Sequence, residues 1–356
     1  MSTTALPRKL RIDRLLEPTS SSIIRGPIYL GGLDRSGKTT MRAFLASHPN
    51  IAIPAVGSNM WTYFYGQFGD LGTSKNLERC LKAMLRYTHV RSLDPDPERI
   101  RREFSQGPPT YARLFALFLT HYAERQGKRR WGAQTGLIER YADHLFEAYP
   151  GVKVIHMVRD PRDRYEASLA LWPKGKGRAG GATARWRYSI RLAERNLSKY
   201  SGRYLIVRFE DMVLRTEETL RDVCSFLDET FRREMMNMPG APERRKKLMT
   251  GVQLRSTQGP LSSEFIGRFR TRVSKRDIAF IQLHAGRMMR AYGYSLDSMH
   301  LPLHEWVLFA TFGWPNQVAR MVAWLAVEAL QQRFPAYVGR KPDPRRNVDT
   351  PIGGDS

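Results

Sequence analysis

From Pro27 onward, short runs of wholly apolar residues alternate with longer stretches whose apolar positions recur every three or four residues. Pro27-Ile28-Tyr29-Leu30 runs into Gly31-Gly32, the pattern of a buried strand meeting a loop. Thr39–Ser47 then carries Met41, Phe44 and Leu45 on one helical face, and stops at His48-Pro49-Asn50 because proline cannot continue a helix. Ile51–Ile53 reads as a second short strand. Residues 60–130 are mostly helical in spacing, interrupted at Asp94-Pro95-Asp96-Pro97 and Gly107-Pro108-Pro109. Ile138–Tyr149 is a further helix with its exit at Gly151, and Val152–Val158 (VKVIHMV) is the clearest buried strand. A helix over Asp163–Leu171, a glycine-rich basic loop over Trp172–Gly181 and a helix over Ala182–Tyr200 follow. Tyr204–Phe209 (YLIVRF) is another strand, and Thr216–Leu227 and Lys275–Tyr292 are helices. Fully apolar strands separated by helices predict a parallel sheet covered on both faces. The fold class is therefore α/β, a three-layer α/β/α arrangement around about 4–5 parallel strands, with helix-rich insertions and C-terminal helices.

The chain divides into a basic N-terminal arm (1–25), a main domain (26–300), an apolar helical appendage (301–335) and a Pro-, Arg- and Gly-rich tail (336–356) expected to be disordered. In the appendage Val318, Met321, Val322 and Leu325 share one helical face, and Trp306, Trp314 and Trp324 punctuate it. That pattern suits a helical pair packed on the main domain, or else a membrane-surface anchor or dimer face within 306–330. With 42% hydrophobic residues, wholesale disorder is excluded. Two cysteines, Cys80 and Cys224, exclude a disulfide scaffold and fit a reducing compartment such as the cytoplasm. The first residues lack the apolar run of a secretory signal, and no segment reaches the ~18 apolar residues of a membrane span. Lys+Arg 58 against Asp+Glu 34 gives a net charge of +24, which calls for an anionic partner: a nucleic acid, a membrane surface or a polyanionic substrate. No RNA-binding aromatic signature or zinc finger accompanies the charge, so no specific nucleic-acid partner is expected.

The polyanion has a candidate site. Gly32-Leu33-Asp34-Arg35-Ser36-Gly37-Lys38-Thr39 fits G-x-x-x-x-G-K-[ST] between a strand and a helix. Successive backbone N–H groups in such a loop curl round a phosphate, and the helix N-terminus adds partial positive charge. Lys38 supplies a cation, and Ser36, Thr39 and Thr40 supply hydroxyls. On the loop alone, nucleotide kinases and sulfotransferases remain open. A second element discriminates. Val154–Val158 leads into Arg159-Asp160-Pro161-Arg162-Asp163, so an arginine stands at a strand's carboxyl end beside a helix start. A kinase strand would end in an acid for Mg²⁺.

With these blocks in place, the chain resembles the sulfotransferase family from about Pro27 to Tyr294, in the branch near tyrosylprotein and bacterial sulfotransferases. GGLDRSGKTTMRAFLASHPNI is similar to its PRSGTTLMR…HP block and WGAQTG to its W-G-x-K-T-P. KVIHMVRDPRDRYEASLA resembles its 3′-phosphate element, YLIVRFEDMVLRTEETLRDVCSFL its V-R-Y-E-D-L with the following helix, and SSEFIGRFR its late S-S-x-G-R-W-R. The resemblance implies a P-loop-type fold and in-line transfer of a sulfuryl group from 3′-phosphoadenosine 5′-phosphosulfate (PAPS). The acceptor would be a hydroxyl or amine of a small molecule, lipid or carbohydrate, with no metal. It implies that Arg35, Ser36, Gly37, Lys38, Thr39 and Thr40 hold the 5′-phosphosulfate. Arg159 and Ser168 would hold the 3′-phosphate, and Arg268 would close over the nucleotide. Arg35 and Lys38 would neutralise charge growing on the bridge oxygen. The alternatives are an ATP/Mg²⁺-dependent small-molecule kinase and a non-catalytic nucleotide- or membrane-binding relative.

Three positions depart from the family pattern. Lys38 replaces a threonine, and Gln134 replaces the lysine of W-G-x-K-T-P. Ser168 lies nine residues after Arg159 where the family has eight, about 100° of helical rotation, which makes Ala167 the competing position. The family's Glu or His after the HP turn is also missing, since 49–69 contains no Asp, Glu or His. Asp34 is the substitute candidate for the base, Asp70 a remote one, and His48 is expected to cap its own turn. Trp186 is expected in the core rather than on adenine, and Glu210-Asp211 as a brace.

Overall fold

The computed structural model describes residues 26–169, 178–239 and 261–334. Five strands make one parallel sheet in the order β2-β3-β1-β4-β5: β1 Ile28–Gly31, β2 Ile51–Ala52, β3 Arg130–Gln134, β4 Lys153–Val158 and β5 Tyr204–Arg208. Tyr29 stands opposite Ala133 on one side and Val154 on the other, so β1 is central. Alternate strand residues enter different cores. Tyr29, Val154 and Tyr204 pack with the helices Tyr111–Arg125 and Ala142–Ala148. Ile28, Leu30, Ile155 and Met157 pack with Lys38–Ala46 and Thr216–Phe226. Burial on both faces is why these strands read as unbroken apolar runs.

β3 was invisible to that criterion. Its sequence, RWGAQ, is neither apolar nor alternating. It holds its place because the buried Arg130 guanidinium donates to the carbonyls of Gly26 and Leu227 and meets Glu229. Ile138–Tyr149 also differs from expectation: it opens as a 3₁₀ turn, Ile138–Tyr141, before the α-helix Ala142–Ala148. The helix Ala179–Lys199 starts earlier than Ala182, so Ala179–Gly181 belong to it rather than to the basic loop. The rest of that loop, at 170–177, lies outside the described residues, as do the arm 1–25 and the tail 336–356.

The C-terminal segment is helical throughout: Leu303–Leu308, a π turn over Phe309–Gly313, then Trp314–Arg333 packed on Ala179–Lys199. Only part of the apolar face expected to pack does so, and Val318 and Met321 are the residues that meet the core. Met321 is buried, but Val322 and Leu325 point outward, 60% and 38% exposed, while Gln317 and Glu328 turn inward. Polar keys set that rotation. The Gly180 N–H donates to Gln317 Oε1 (2.8 Å), and Arg140 pairs with Glu328 (2.5 Å).

Candidate active site

The loop after β1 turns at the carboxyl end of the sheet. Gly32 has φ 98°, and a Cβ there would lie 2.2 Å from the Met157 carbonyl oxygen of β4. Only glycine lets the loop leave the sheet so close to its neighbour. We expect Gly32→Ala to cost about 3 kcal/mol of stability through combined clash and backbone strain. Chemical denaturation of both proteins reads this, and an unchanged midpoint would contradict the close approach. Gly37, φ 91°, caps the N-terminus of Lys38–Ala46 without a side chain, against Phe209. Arg35 also adopts a left-handed conformation, φ 68°, and its Nε donates to the Ala167 carbonyl (3.1 Å).

Lys38 is 4% exposed. Its ammonium donates to the Gly32 carbonyl (2.6 Å) and stands 3.7 Å from the half-exposed Asp34 carboxylate. Burial lowers its pKa, opposed by the charges of Asp34 and Glu139. The ammonium also meets the end of β3, where a Cβ on Gly136 would be 3.7 Å from both Lys38 Nζ and Asp34 Oδ1. Gln134, two residues earlier, approaches Thr39 Oγ1 at 3.5 Å. The Lys38 ammonium and the Gln134 side chain thus stand at the same corner of the site. Asn59 and Thr62 close this corner by hydrogen bonds to the N–H and carbonyl of Gly136.

The element after β4 adds further cations. Arg159, 5% exposed, donates to the carbonyls of Arg35 and Phe265 and lies over the Phe209 ring. Arg164, one turn on, is 3% exposed; its pKa is pushed down to about 9 by burial and by the charges of Arg185 and Arg159, with Asp34 opposing. Arg164 Nε and Arg159 Nε are buried without a hydrogen-bond partner. Stacking buried cations without matching carboxylates is unfavourable unless an anion completes the site. Arg164 and Arg185 escaped the sequence reading, and no spacing in the sequence marks them. The remaining acids of the motif are committed elsewhere. Asp160 holds Arg162, and Asp163 accepts the N–H groups of Gly267 and Phe269. Arg268 is thereby carried to Glu166, 3.5 Å away. Ser168 Oγ donates back to the Tyr165 carbonyl, and its neighbour Ala167 receives Arg35.

Three residues play the supporting parts expected of them. Trp186 is buried, its Nε1 donating to the Arg159 carbonyl. Glu210 accepts the Asp160 N–H and the Tyr294 hydroxyl. His48 Nδ1 accepts the Asn50 N–H and so caps the turn, while its Nε2 faces the Thr230 carbonyl of a distant segment. Asp70 instead accepts the Gly72 N–H and lines a cavity of about 710 Å³ with Tyr65, Tyr111 and His144, among walls that include no residue of the loop.

Beneath the loop lies a residue that the sequence did not mark. Glu139 is fully buried and accepts the Gly32 N–H (3.3 Å) and the Ser189 hydroxyl. His156, hydrogen-bonded to Tyr204, stands 3.9 Å from it.

The family model described as Sulfotransferase family matches residues 27–233, and the chain belongs to that family. It is a sulfotransferase. No curated protein matches it in sequence. Among solved structures, the sulfotransferase domain of the Synechococcus PCC 7002 olefin synthase is 21% identical over 76% of this chain and 95% of that one, with a TM-score of 0.51, and has the same fold. The sulfotransferase domain from the curacin biosynthetic pathway is 17% identical over 78% and 100%, TM-score 0.47. Retinol dehydratase in complex with androsterone and PAP is 13% identical over 76% and 82%, TM-score 0.37.

Proposed function

We propose that this enzyme transfers the sulfuryl group of PAPS, by in-line displacement, to a hydroxyl or amine of a small-molecule, lipid or carbohydrate acceptor. The observation that carries this reading is the buried cation cluster of Lys38, Arg159 and Arg164 at the carboxyl ends of β1 and β4. A nucleotide with phosphates at both 3′ and 5′ positions is the kind of polyanion that cluster suits. In this reading the backbone of Arg35–Thr40 holds the 5′-phosphosulfate, and Arg159, aided by Arg164, holds the 3′-phosphate. Ser168 is a lesser contact, and Arg268 closes the nucleotide side. Lys38 and Arg35 neutralise the charge that grows on the bridge oxygen as the sulfuryl group leaves. Asp34, on the solvent side of Lys38, takes the acceptor proton. The same reading places the enzyme in the cytoplasm, in peripheral contact with a membrane through 306–330.

Calorimetry in EDTA with 3′-phosphoadenosine 5′-phosphate (PAP), ADP and ATP tests the nucleotide assignment. PAP should bind at least tenfold tighter than ADP, about 1.4 kcal/mol or more, and Arg159→Ala should erase the difference. Equal binding of ATP, or binding only with Mg²⁺, would overturn it in favour of phosphoryl chemistry.

A further inference from the structure

The C-terminal helix is built inside out. Its packed side is keyed by polar contacts: Gln317 to Gly180, Glu328 to Arg140, and Gln332 to the Tyr188 hydroxyl. A Cβ on Gly180 would sit 2.0 Å from the Gln317 carbonyl oxygen, so the two backbones are in direct contact. The outward side is apolar. Val322, Ala326 and Leu330, at four-residue spacing, face away from the keyed side, and Ala319 and Ala323 extend the stripe. The preceding turns continue the surface with Leu303 at 82%, Trp306 at 55% and Phe312 at 73% exposure. An element that buries Gln317 and Glu328 beside Met321 and displays Phe312, Val322 and Leu330 has an apolar partner outside the fold.

Charge selects that partner. The only acids in 303–334 are Glu305 and Glu328, and each is paired, with Arg276 and Arg140. Arg320 and Arg333 share the segment, and the sequence runs on through Arg340, Lys341, Asp343, Arg345 and Arg346. A second copy of the chain would carry its own net charge of +24, so overall charge opposes pairing two copies. An anionic bilayer instead satisfies both the apolar stripe and the charge, and tryptophans such as Trp306 and Trp314 favour the headgroup level. No helix of the described residues is long and apolar enough to cross a membrane, so the element would lie in the interface.

We propose that the outward face of Leu303–Arg333 docks the enzyme on an anionic phospholipid bilayer. This deepens the membrane contact of the proposed function and is independent of the nucleotide assignment. The element packs on the helix Ala179–Lys199, whose Arg185 acts on Arg164 and lies by the Trp324 ring.

Flotation of the full chain tests this with vesicles of phosphatidylcholine alone and of phosphatidylcholine mixed with phosphatidylserine. The chain should float with the mixed vesicles, less with the neutral ones, and be released by salt. The triple variant Phe312→Glu, Val322→Glu, Leu330→Glu should reduce flotation by about tenfold. Its thermal midpoint and PAP affinity should stay unchanged, because these side chains point outward. Absence of flotation with anionic vesicles at low salt would overturn the proposal. So would equal flotation of the variant, which assigns binding to diffuse charge. A dimer detected by light scattering and dissociated by the same substitutions would reassign the face to a second copy. PAP binding is read separately, so neither failure mimics the other.

Discussion

Lys38→Met is expected to lower the turnover of PAPS about 10²–10³-fold, about 3–4 kcal/mol of transition-state stabilisation, with a smaller change in KM. The ammonium has three donors, and the Gly32 carbonyl uses one while Asp34 stands near another. It is thus held in place before any substrate arrives, at the corner where β1 and β3 end. A preorganised cation in a buried site acts most strongly where charge develops, on the bridge oxygen. Hydrolysis of PAPS to PAP and sulfate, with water as the sulfuryl acceptor, measures the effect and needs no knowledge of the natural acceptor. The pH profile provides a second readout. Burial holds the Lys38 pKa below that of an ordinary lysine. The protonated form is the active one, so kcat/KM should be full below the lowered pKa and fall as pH rises through it, earlier than an exposed lysine would allow. Lys38→Arg should push that limb to higher pH, and Lys38→Met should remove it. The neighbouring Gln134 supplies the decisive control. Lys38→Thr combined with Gln134→Lys restores the family arrangement and should recover at least about tenfold over Lys38→Thr alone. No loss in Lys38→Met, or no recovery in the double variant, would show that the loop cation does not replace the strand cation.

The parts of this site visible in the sequence are those with local signatures. Strand, glycine turn and helix start lie consecutively in 27–47, and their spacing alone locates the phosphate loop. Arg159 was legible because it follows an unmistakable buried strand. β3 was not, because its stability comes from Arg130 reaching Gly26, Leu227 and Glu229, residues far away in sequence. The C-terminal helix misled for a related reason. Periodicity assumes that the apolar face packs inward, and here contacts with Gly180 and Arg140 rotated it. Arg164 and Arg185 looked like two arginines among many, and only the burial of Arg164 between the charges of Arg159 and Arg185 sets them apart. Glu139 lies in an unremarkable helix start, and its importance arises entirely from the loop folded above it.

Glu139→Gln should destabilise the protein by about 3 kcal/mol and lower its thermal midpoint by about 5–10 °C. The carboxylate accepts from Gly32 N–H and from Ser189, and it lies among Lys38 and His156. A carboxamide has one acceptor oxygen, so either its NH₂ opposes the Gly32 N–H or the Ser189 hydroxyl must turn from donor to acceptor. The substitution also removes the negative charge that opposes the burial of Lys38. Both effects act on the loop from below, so Glu139 positions the loop and touches no substrate. A positioning role separates from a purely structural one in the pH profile. With the counter-charge gone, the alkaline limb of kcat/KM should move to lower pH than in the wild type. Ser189→Ala, which removes one donor and keeps the charge, should cost about 1 kcal/mol and leave that limb in place. If Glu139→Gln lowers the midpoint without moving the limb, the carboxylate braces the fold alone and does not set the charge of Lys38.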